Sequence, residues 1–151
     1  MADPSPDNPC FGCGTANSHG MHLVLERDDV RKRVVGHFSL GPEYQGAPGL
    51  IHGGIIATVL DEVMSKVSRF SEATAVTAEL RVEYLKPIRV GQPLNVEGFL
   101  TAREGRQLYH QGEIRDASGE LLARGKGRFV VIDREEYAKK VMRERAEAET
   151  S

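Results

Sequence analysis

The fold of this chain is decided by the stretch GLIHGGIIATVLDEVM, residues 49–64. Within it and just beyond, apolar side chains recur at the spacing of one helix face: Ile55, Ile56, Val59, Leu60, Val63, Met64 and Val67. Gly53 and Gly54 precede this stripe, at a point where a close backbone approach is useful. The pattern predicts a helix over residues 54–69 that buries a wide apolar face.

Outward from this helix, the apolar pattern changes to the period of a β-strand. Residues 74–85 alternate strictly, which predicts a long strand with one face formed by Thr74, Val76, Ala78, Leu80, Val82 and Tyr84. Strands are also predicted at 21–26 and 31–40 before the helix, and at 94–102, 107–115 and 121–132 after it. Because short turns join the four strands that follow the helix, we expect an antiparallel meander.

These elements predict an α+β domain in which a curved antiparallel sheet wraps around one long central helix. At 151 residues the chain has room for one domain, which we place at residues 10–133. Residues 1–9 are expected to be a mobile tail, and residues 134–151 a charged helical tail. The sheet edges are left partly unprotected, which favours dimerisation.

Composition narrows the classes of partner. The chain has 20 Lys and Arg against 22 Asp and Glu, so a strongly basic nucleic-acid surface is not expected. No apolar run approaches the roughly 20 residues of a membrane-spanning helix, and the first residues lack the pattern of a signal peptide. With only two cysteines, close together, the sequence predicts a cytoplasmic protein without a disulfide framework or a membrane partner.

The start of the helix and one acid within it are the candidate reactive groups. The amides of Gly53 and Gly54 would face outward at a helix N-terminus, where such donors can stabilise an oxyanion; a tight loop-to-helix turn is the alternative. Asp61 could act as a general base or a nucleophile, or could be a solvated residue beside Glu62. The two acids point about 100° apart, so only one of them can share the site.

Spacing along the helix limits how these groups can work together. Gly54 and Asp61 are seven residues apart, or about 10 Å along the axis. A base must come within about 3 Å of the group that it activates, directly or through one water. If both residues act on one substrate, Asp61 therefore has to meet Gly54 of a second copy of the chain. Two antiparallel helices in a symmetric dimer would produce two such shared sites.

Two further residues have open roles. His52 could orient a substrate, or it could be a cap or loop anchor. Thr77 lies on the long strand and could position a water or an Asp61 oxygen. Strict alternation would turn Thr77 away from the helix unless the strand contains a β-bulge.

The N-terminal segment contains a Cys-x-x-Cys pair, Cys10 and Cys13, followed by His19 and His22. These four residues could in principle bind zinc. The spacing of the histidine pair is short and there is no second Cys-x-x-Cys. We therefore expect buried or turn cysteines and no metal.

Three segments together resemble the hotdog-fold acyl-CoA thioesterases, and in particular their PaaI-like branch. They are GLIHGGIIATVLDEVM, the opening CFGCGTANSHGMHL, and VTAELRVEYLKPIRVGQPL. The likeness covers roughly residues 10–132. It implies a hotdog fold, a dimer or a tetramer made of two dimers, and hydrolysis of an acyl-CoA thioester.

The resemblance also implies roles for individual residues. Asp61 would be the general base or nucleophile, Gly54 would polarise the thioester carbonyl through its N–H, and Thr77 would assist. Coenzyme A would contact the long strand and the next hairpin, at Glu79, Arg81, Tyr84, Arg103, Glu104, Gly105, Arg106, Gln107 and Leu108. Gly53, at the start of the helix, is a further expected substrate contact. Some members have an Asn six residues before the His; here that position is Gly46, and the neighbouring Gln45 is the candidate replacement.

The sequence thus predicts hydrolysis of a medium-length or aromatic acyl-CoA, with His52 orienting the thioester. No separate cofactor is expected, since coenzyme A is part of the substrate. Two alternatives remain: a non-catalytic module that binds acyl-CoA or lipid, and a hotdog dehydratase or hydratase. Dehydratases of this fold have a different set of motifs, with a catalytic His on or near the helix.

Overall fold

A six-stranded antiparallel sheet and one long helix dominate this computed structural model, which describes residues 5–151. The long helix, α1, packs against strands β2 to β6. Its buried apolar residues all belong to the stripe that the sequence predicted, of which only Ile55 is partly exposed, so the α+β architecture with a central helix is confirmed. In chain order the elements are β1 (Glu26–Asp28), β2 (Arg33–Phe38), α1 (Gly53–Val67), β3 (Thr74–Tyr84), β4 (Leu94–Glu104), β5 (Gln107–Asp116), β6 (Leu121–Ile132) and α2 (Arg134–Glu149).

The strand order is β1-β2-β4-β5-β6-β3, which corrects the predicted meander. Of the four strands that follow α1, only β4, β5 and β6 lie beside one another in chain order. Strand β3 pairs with β6, whereas β4 pairs with β2. The physical reason is the helix, because α1 crosses the sheet between β2 and β3 and carries the chain to the opposite edge. Strand β3 therefore forms an edge of the sheet, with one side unpaired among the described residues.

The strand predicted at residues 21–26 is largely wrong, since β1 begins only at Glu26. Leu23 and Leu25 are buried and Val24 is 65% exposed, so the alternation is real. However, this segment pairs with the N-terminal loop: the N–H of Met21 donates to Phe11 O and that of Leu23 to Gly12 O. Alternating burial alone does not distinguish a ladder within the sheet from contacts with a loop.

A row of three glycines crosses the sheet beneath α1. Gly98 on β4 is paired with Gly112 on β5, which is paired in turn with Gly125 on β6. A Cβ atom on Gly98 would lie 2.9 Å from the carbonyl oxygen of Val63, and one on Gly125 would lie 2.9 Å from Met64 Cε. The absence of side chains in this row allows the helix to lie close to the strands, which fixes the height of its other residues above the sheet.

The ends of the chain differ from the domain between them. Helix α2 has no buried residue, and its side chain cap is Asp133, which accepts a hydrogen bond from the Glu136 N–H. The tail predicted for residues 1–9 lies partly outside the described residues. Within residues 5–151, no helix is both long enough and apolar enough to cross a membrane.

Candidate active site

His52 is the N-cap of α1, which was one of the two roles left open for it. Its Nδ1 accepts a hydrogen bond of 2.9 Å from the N–H of Gly54. A neutral histidine that accepts at Nδ1 carries its proton on Nε2, so Nε2–H is left as a donor on an exposed side chain. The cap also means that the Gly54 amide is engaged within its own chain.

Asp61 is half-buried on α1 and is held by Thr77. The Thr77 hydroxyl donates a hydrogen bond of 2.8 Å to Asp61 Oδ1. Burial raises the pKa of the Asp61 carboxyl above its usual value, the Thr77 hydrogen bond opposes that rise, and the nearby charge of Glu62 adds to it. A carboxylate with a raised pKa and one oxygen fixed in position has the properties of a general base.

A β-bulge in β3 brings Thr77 to the helix side. Thr77 is paired with Phe129 of β6, and the next paired residue is Glu79 with Arg128, so Ala78 is the inserted residue. Beyond the bulge Leu80 packs against the core, whereas Val76 before it is 37% exposed. The single apolar face predicted for residues 74–84 is therefore wrong in its first half, because a bulge shifts the alternation by one residue.

A groove of about 240 Å³ runs along α1 past these groups. Its lining combines one face of the helix with the bulged strand: Gly54, Ala57, Thr58, Asp61, Thr77 and Leu80. The Thr58 hydroxyl donates to the carbonyl oxygen of Gly54 within the helix. Gly54 and Asp61 thus line the same groove, and about two helical turns separate them along α1.

A second groove, of about 270 Å³, adjoins the helix N-terminus and is mostly apolar. It is lined by Leu50, Ile51, Gly53, Ile56, Tyr84, Leu85, Lys86, Pro87 and Ile88. The Tyr84 hydroxyl donates a hydrogen bond of 2.8 Å to the Gly53 carbonyl oxygen. This contact ties the end of β3 to the first residue of α1 and places the Tyr84 ring at the boundary of the groove.

The residues expected to contact coenzyme A fall in separate places. Glu79 and Arg81 alternate with Leu80 and so point to the outer face of the sheet. There they line a groove of about 400 Å³ with Lys126 and Arg128. These two basic residues were not predicted from the sequence, although their alternation on β6 with buried residues was a signal that could have identified them.

The remaining predicted contacts lie at or beside the turn between β4 and β5, but the contact predicted for Leu108 is wrong, because this β5 side chain is buried in the core. Gly105 has a positive φ of 57°, which suits this tight turn. Arg103 donates from Nε to the carbonyl oxygen of Gly105, and Arg106 donates from Nε and Nη2 to that of Val131. Both guanidinium groups are exposed and keep further N–H donors.

Gln45, the candidate replacement for the loop Asn, is exposed and engaged locally. Its Oε1 accepts a hydrogen bond of 3.1 Å from the Gly49 N–H. A Cβ on neighbouring Gly46 would lie 3.2 Å from His52 Cα and Cδ2, so glycine gives the His52 ring room. The loop thus supports His52, and a catalytic role for Gln45 stays a prediction.

The second acid, Glu62, lies on another side of α1, as the 100° rotation between successive residues requires. The Glu62 carboxylate contacts Cys10 Sγ. Three atoms lie within 4.8 Å of one another, namely a carboxylate oxygen of Glu62 and the sulfur atoms of Cys10 and Cys13. Neither histidine of the suggested zinc quartet belongs to this group, and His22 Nε2 lies 2.6 Å from the Asn17 carbonyl oxygen. The ligand set suggested by the linear motif is therefore wrong.

Comparison with known proteins agrees with the fold. Residues 48–123 match the thioesterase superfamily, and this match includes α1, β3, β4 and β5. The chain belongs to this superfamily, and its fold is the hotdog fold that the motifs predicted.

Among curated proteins, the chain is similar to the acyl-coenzyme A thioesterase THEM4 of Mus musculus. The two are 39% identical over 90 residues, which cover 60% of this chain and 39% of that protein. The chain thus spans less than half the length of the THEM4 proteins of mouse and rat.

Two solved structures extend the comparison. The crystal structure of protein RHA08564, a thioesterase superfamily protein, superposes with a TM-score of 0.75 at 32% identity and covers 80% of this chain and 62% of that one. The PaaI protein of the E. coli phenylacetic acid degradation operon has a TM-score of 0.63 at 16% identity, covering 68% of this chain and 74% of its own. The latter likeness is one of fold.

Proposed function

We propose that this protein hydrolyses a medium-length or aromatic acyl-CoA to the free acid and coenzyme A. Asp61 is the general base or nucleophile, the Gly54 N–H stabilises the oxyanion, and His52 orients the thioester. Thr77 supports the nucleophilic step by holding the Asp61 carboxylate. No further cofactor is needed, because a thioester is already an activated acyl group. The similarity to acyl-coenzyme A thioesterase THEM4 supports this assignment.

The contact of Thr77 with Asp61 is the observation that carries the proposal. The 2.8 Å hydrogen bond depends on a β-bulge that reverses the direction of Thr77. Bulges are retained at sites where they aim a side chain, and this one aims a hydroxyl at the half-buried acid of the central helix. The same groove leads to the helix N-terminus, where amide donors and the positive end of the helix dipole favour developing negative charge.

The chemistry follows from these positions. Asp61 takes a proton from water as the water oxygen attacks the carbonyl carbon, or the carboxylate attacks that carbon itself. Negative charge then develops on the carbonyl oxygen, next to the donors of Gly54 and His52. When the C–S bond breaks, the electron pair leaves with the coenzyme A sulfur. In the general-base route this sulfur takes up the proton that Asp61 removed from water. In the nucleophilic route the acyl group is left as an anhydride on Asp61, and water then hydrolyses it, restoring the carboxylate and supplying the proton to the sulfur. Either route gives one acid and one thiol for each water consumed.

The substrate groups fit different surfaces around this centre. We propose that the acyl group enters the mostly apolar groove beside Tyr84, which adjoins the helix N-terminus. The phosphates of coenzyme A are complementary in charge to Arg81, Lys126 and Arg128, or to Arg103 and Arg106 on the hairpin. Replacing Lys126 and Arg106 separately by Ala, and comparing KM at low salt, distinguishes the two phosphate positions.

We propose further that the active form is a homodimer, alone or as half of a tetramer. Strand β3 has eleven residues, lies at the sheet edge and is exposed along much of its length. A long unpaired edge favours pairing with another strand, and a second copy offers an identical one. In such a dimer Asp61 of one subunit could meet Gly54 of the other.

Steady-state hydrolysis of a panel of acyl-CoA thioesters tests the assignment. Asp61→Ala and Asp61→Asn should each lower kcat by about 10² to 10⁴-fold, the range for removal of a general base. Asp29→Asn is the matched control, because Asp29 is an exposed acid in the turn before β2 that pairs with Arg27. Unchanged turnover in both Asp61 variants would refute the proposed role.

One observation favours the alternative of a non-catalytic acyl-CoA-binding module. The Gly54 N–H donates to His52 Nδ1, so a substrate carbonyl would have to share or displace this bond. The two functions differ in the release of free thiol. Saturable binding of acyl-CoA in calorimetry without release of coenzyme A would indicate a binding module. Release of free thiol at acyl-CoA concentrations that saturate the protein would indicate the enzyme.

A further inference from the structure

The N-terminal loop packs on a side of α1 that the proposed active site does not use. Cys10 and Cys13 come from this loop, and Glu62 and Lys66 lie one helical turn apart on α1. Cys10 Sγ is 3.8 Å from Glu62 Oε1 and 3.7 Å from Oε2. The two sulfur atoms and a carboxylate oxygen lie within 4.8 Å of one another.

We propose that Cys10, Cys13 and Glu62 form a structural zinc site. Zinc binds thiolate sulfur at about 2.3 Å and carboxylate oxygen at about 2.0 to 2.2 Å, so ligands on a tetrahedron are about 3.5 to 3.8 Å apart. The sulfur-to-oxygen distances from Cys10 to Glu62 have this size. Because both Glu62 oxygens are almost equally far from that sulfur, the carboxylate can bind through both, which with the two cysteine sulfurs gives four protein ligand atoms.

The backbone of the loop is shaped to admit the Glu62 carboxylate. Gly12 lies between the two cysteines, and a Cβ atom there would be 2.5 Å from Glu62 Oε2. The Gly14 N–H donates to the Cys10 carbonyl oxygen over 2.8 Å, which closes the turn. Any larger residue at position 12 would push the carboxylate away from the sulfur atoms.

A buried lysine balances the charge of the site. Lys66 is 6% exposed, and its ammonium lies 3.3 Å from Cys13 Sγ and 3.5 Å from Glu62 Oε1. Zinc binding would release one proton from each thiol and leave two thiolates and one carboxylate. With zinc and the Lys66 ammonium the total charge is zero, and a lysine that donates to a zinc-bound sulfur is a typical outer partner of such a site.

The site would fasten an irregular segment to the central helix. Between residue 5 and β1 the chain has no helix or strand, yet Leu23 and Leu25 of this segment are in the core. Metal ligands from both the loop and α1 would link the two parts. This inference does not depend on the proposed hydrolysis, because metal content is measured without substrate.

The test measures metal in the full-length protein after purification in zinc-containing, chelator-free buffer and gel filtration. Elemental analysis should find about one zinc per chain. Cys10→Ser, Cys13→Ser and Glu62→Gln should each weaken zinc affinity by at least about tenfold. The double variant His19→Ala/His22→Ala is the matched control and should bind zinc as the parent does. Circular dichroism of each variant separates loss of metal from loss of fold.

Cobalt substitution supplies an independent measurement. Cobalt bound by Cys10 and Cys13 should give sulfur-to-metal charge-transfer absorption, which Cys13→Ser should reduce. Absence of stoichiometric zinc, or cobalt binding without this absorption, would overturn the proposal and leave Lys66 as the only cation of the cluster among residues 5–151. A Cys10–Cys13 disulfide in protein purified under reducing, zinc-containing conditions would also overturn it.

Discussion

Thr77 on an edge strand and Asp61 on the central helix are joined by a hydrogen bond of 2.8 Å from the hydroxyl to Oδ1. The bond spans two elements that the chain forms separately, and it exists because Ala78 is inserted between the paired residues Thr77 and Glu79. It fixes one carboxylate oxygen of an acid that lines the groove along α1. The position of the proposed base is thereby coupled to the register of the strand.

Thr77→Val should lower kcat by about tenfold, the equivalent of about 1.4 kcal/mol, because a hydrogen bond to a charged acceptor is lost at similar size and volume. The Thr77 bond lowers the pKa of Asp61, against the larger effect of burial. Its removal should raise that pKa further. The acidic limb of the kcat profile should then move to higher pH, since the base must be deprotonated to act.

Thr77→Ser is the control for this experiment, because it retains the hydroxyl and loses only a methyl group. Its pH profile should overlay that of the parent. If Thr77→Val kept both the rate and the acidic limb, the hydroxyl would have only a structural role.

His52 offers a way to separate capping from chemistry. His52→Ala removes the acceptor for the Gly54 N–H and should cost about 1 kcal/mol in the free energy of unfolding, whereas His52→Asn keeps a good N-cap and should cost little. Both variants lack the Nε2–H donor and should lose about 10²-fold in kcat/KM, as other oxyanion donors do when removed. Urea denaturation and steady-state kinetics measure the two effects.

Full activity in His52→Asn with reduced stability in His52→Ala would make His52 a cap alone. In that case the helix N-terminus would have to supply its donors without the imidazole.

The periodic elements were predictable from the sequence because burial imposes its period directly on the residues. The apolar stripe from Ile55 to Val67 gave α1 within two residues at each end. The strands after residue 94 were also placed closely, since glycine turns separate them. Pairing order was not predictable, because it depends on where α1 takes the chain across the sheet.

The site could be predicted only in part, for reasons that are local to particular residues. Asp61 interrupts an apolar helix and was therefore conspicuous. The bulge at Ala78 does not visibly interrupt the alternation of residues in the sequence, so Val76 was assigned to the wrong face of the strand. No role was predicted for Glu62, because nothing in the linear sequence shows that the loop with Cys10 packs against it.

His110 should make the stability of the fold sensitive to acid. It is 1% exposed, stacks on Phe129 at 4.8 Å, and neither of its ring nitrogens makes a well-formed hydrogen bond. Burial lowers its pKa from 6.5 to about 4, with the Met64 backbone opposing the shift in part. The unfolded chain therefore binds a proton at a higher pH than the folded chain does.

It follows that the contribution of neutral, buried His110 to the free energy of unfolding is complete above pH 6.5 and is lost as the pH falls towards 4. His110→Leu should remove this pH dependence, which is on the order of 2 to 3 kcal/mol. The free energy of unfolding measured with urea should then vary less with pH over that range. The exposed His19→Ala is the control and should follow the parent. Parallel pH curves for His110→Leu and the parent would contradict the prediction.

The glycine row should be sensitive to the smallest side chain. In Gly98→Ala the new methyl group would face the backbone oxygen of Val63 at 2.9 Å, so α1 would have to move. We expect a loss of about 1 to 3 kcal/mol in unfolding free energy, the usual cost of overpacking. In Gly112→Ala the nearest atoms are side-chain carbons at 3.2 Å, which can shift, so the loss should be smaller. Equal losses would contradict the close approach of the helix at Gly98.

A shared active site can be tested by mixing two inactive variants. Asp61→Asn removes the base, and Gly54→Pro removes the amide donor at a position in the first helical turn where proline is tolerated. In a dimer with shared sites, a mixed pair has one site with both groups and one with neither. Random association makes half the dimers mixed, so the mixture should regain roughly a quarter of the parent activity.

Gly54→Ala is the matched control for the proline variant, since it keeps the N–H and adds a methyl group 3.1 Å from His52 Nδ1. It should retain far more activity than Gly54→Pro. If each chain instead used its own Gly54 and Asp61, every site in the mixture would lack one of the two groups, and no activity would return. The observed groove along α1 contains both residues of one chain, so this outcome would locate catalysis within a single subunit and overturn the shared site.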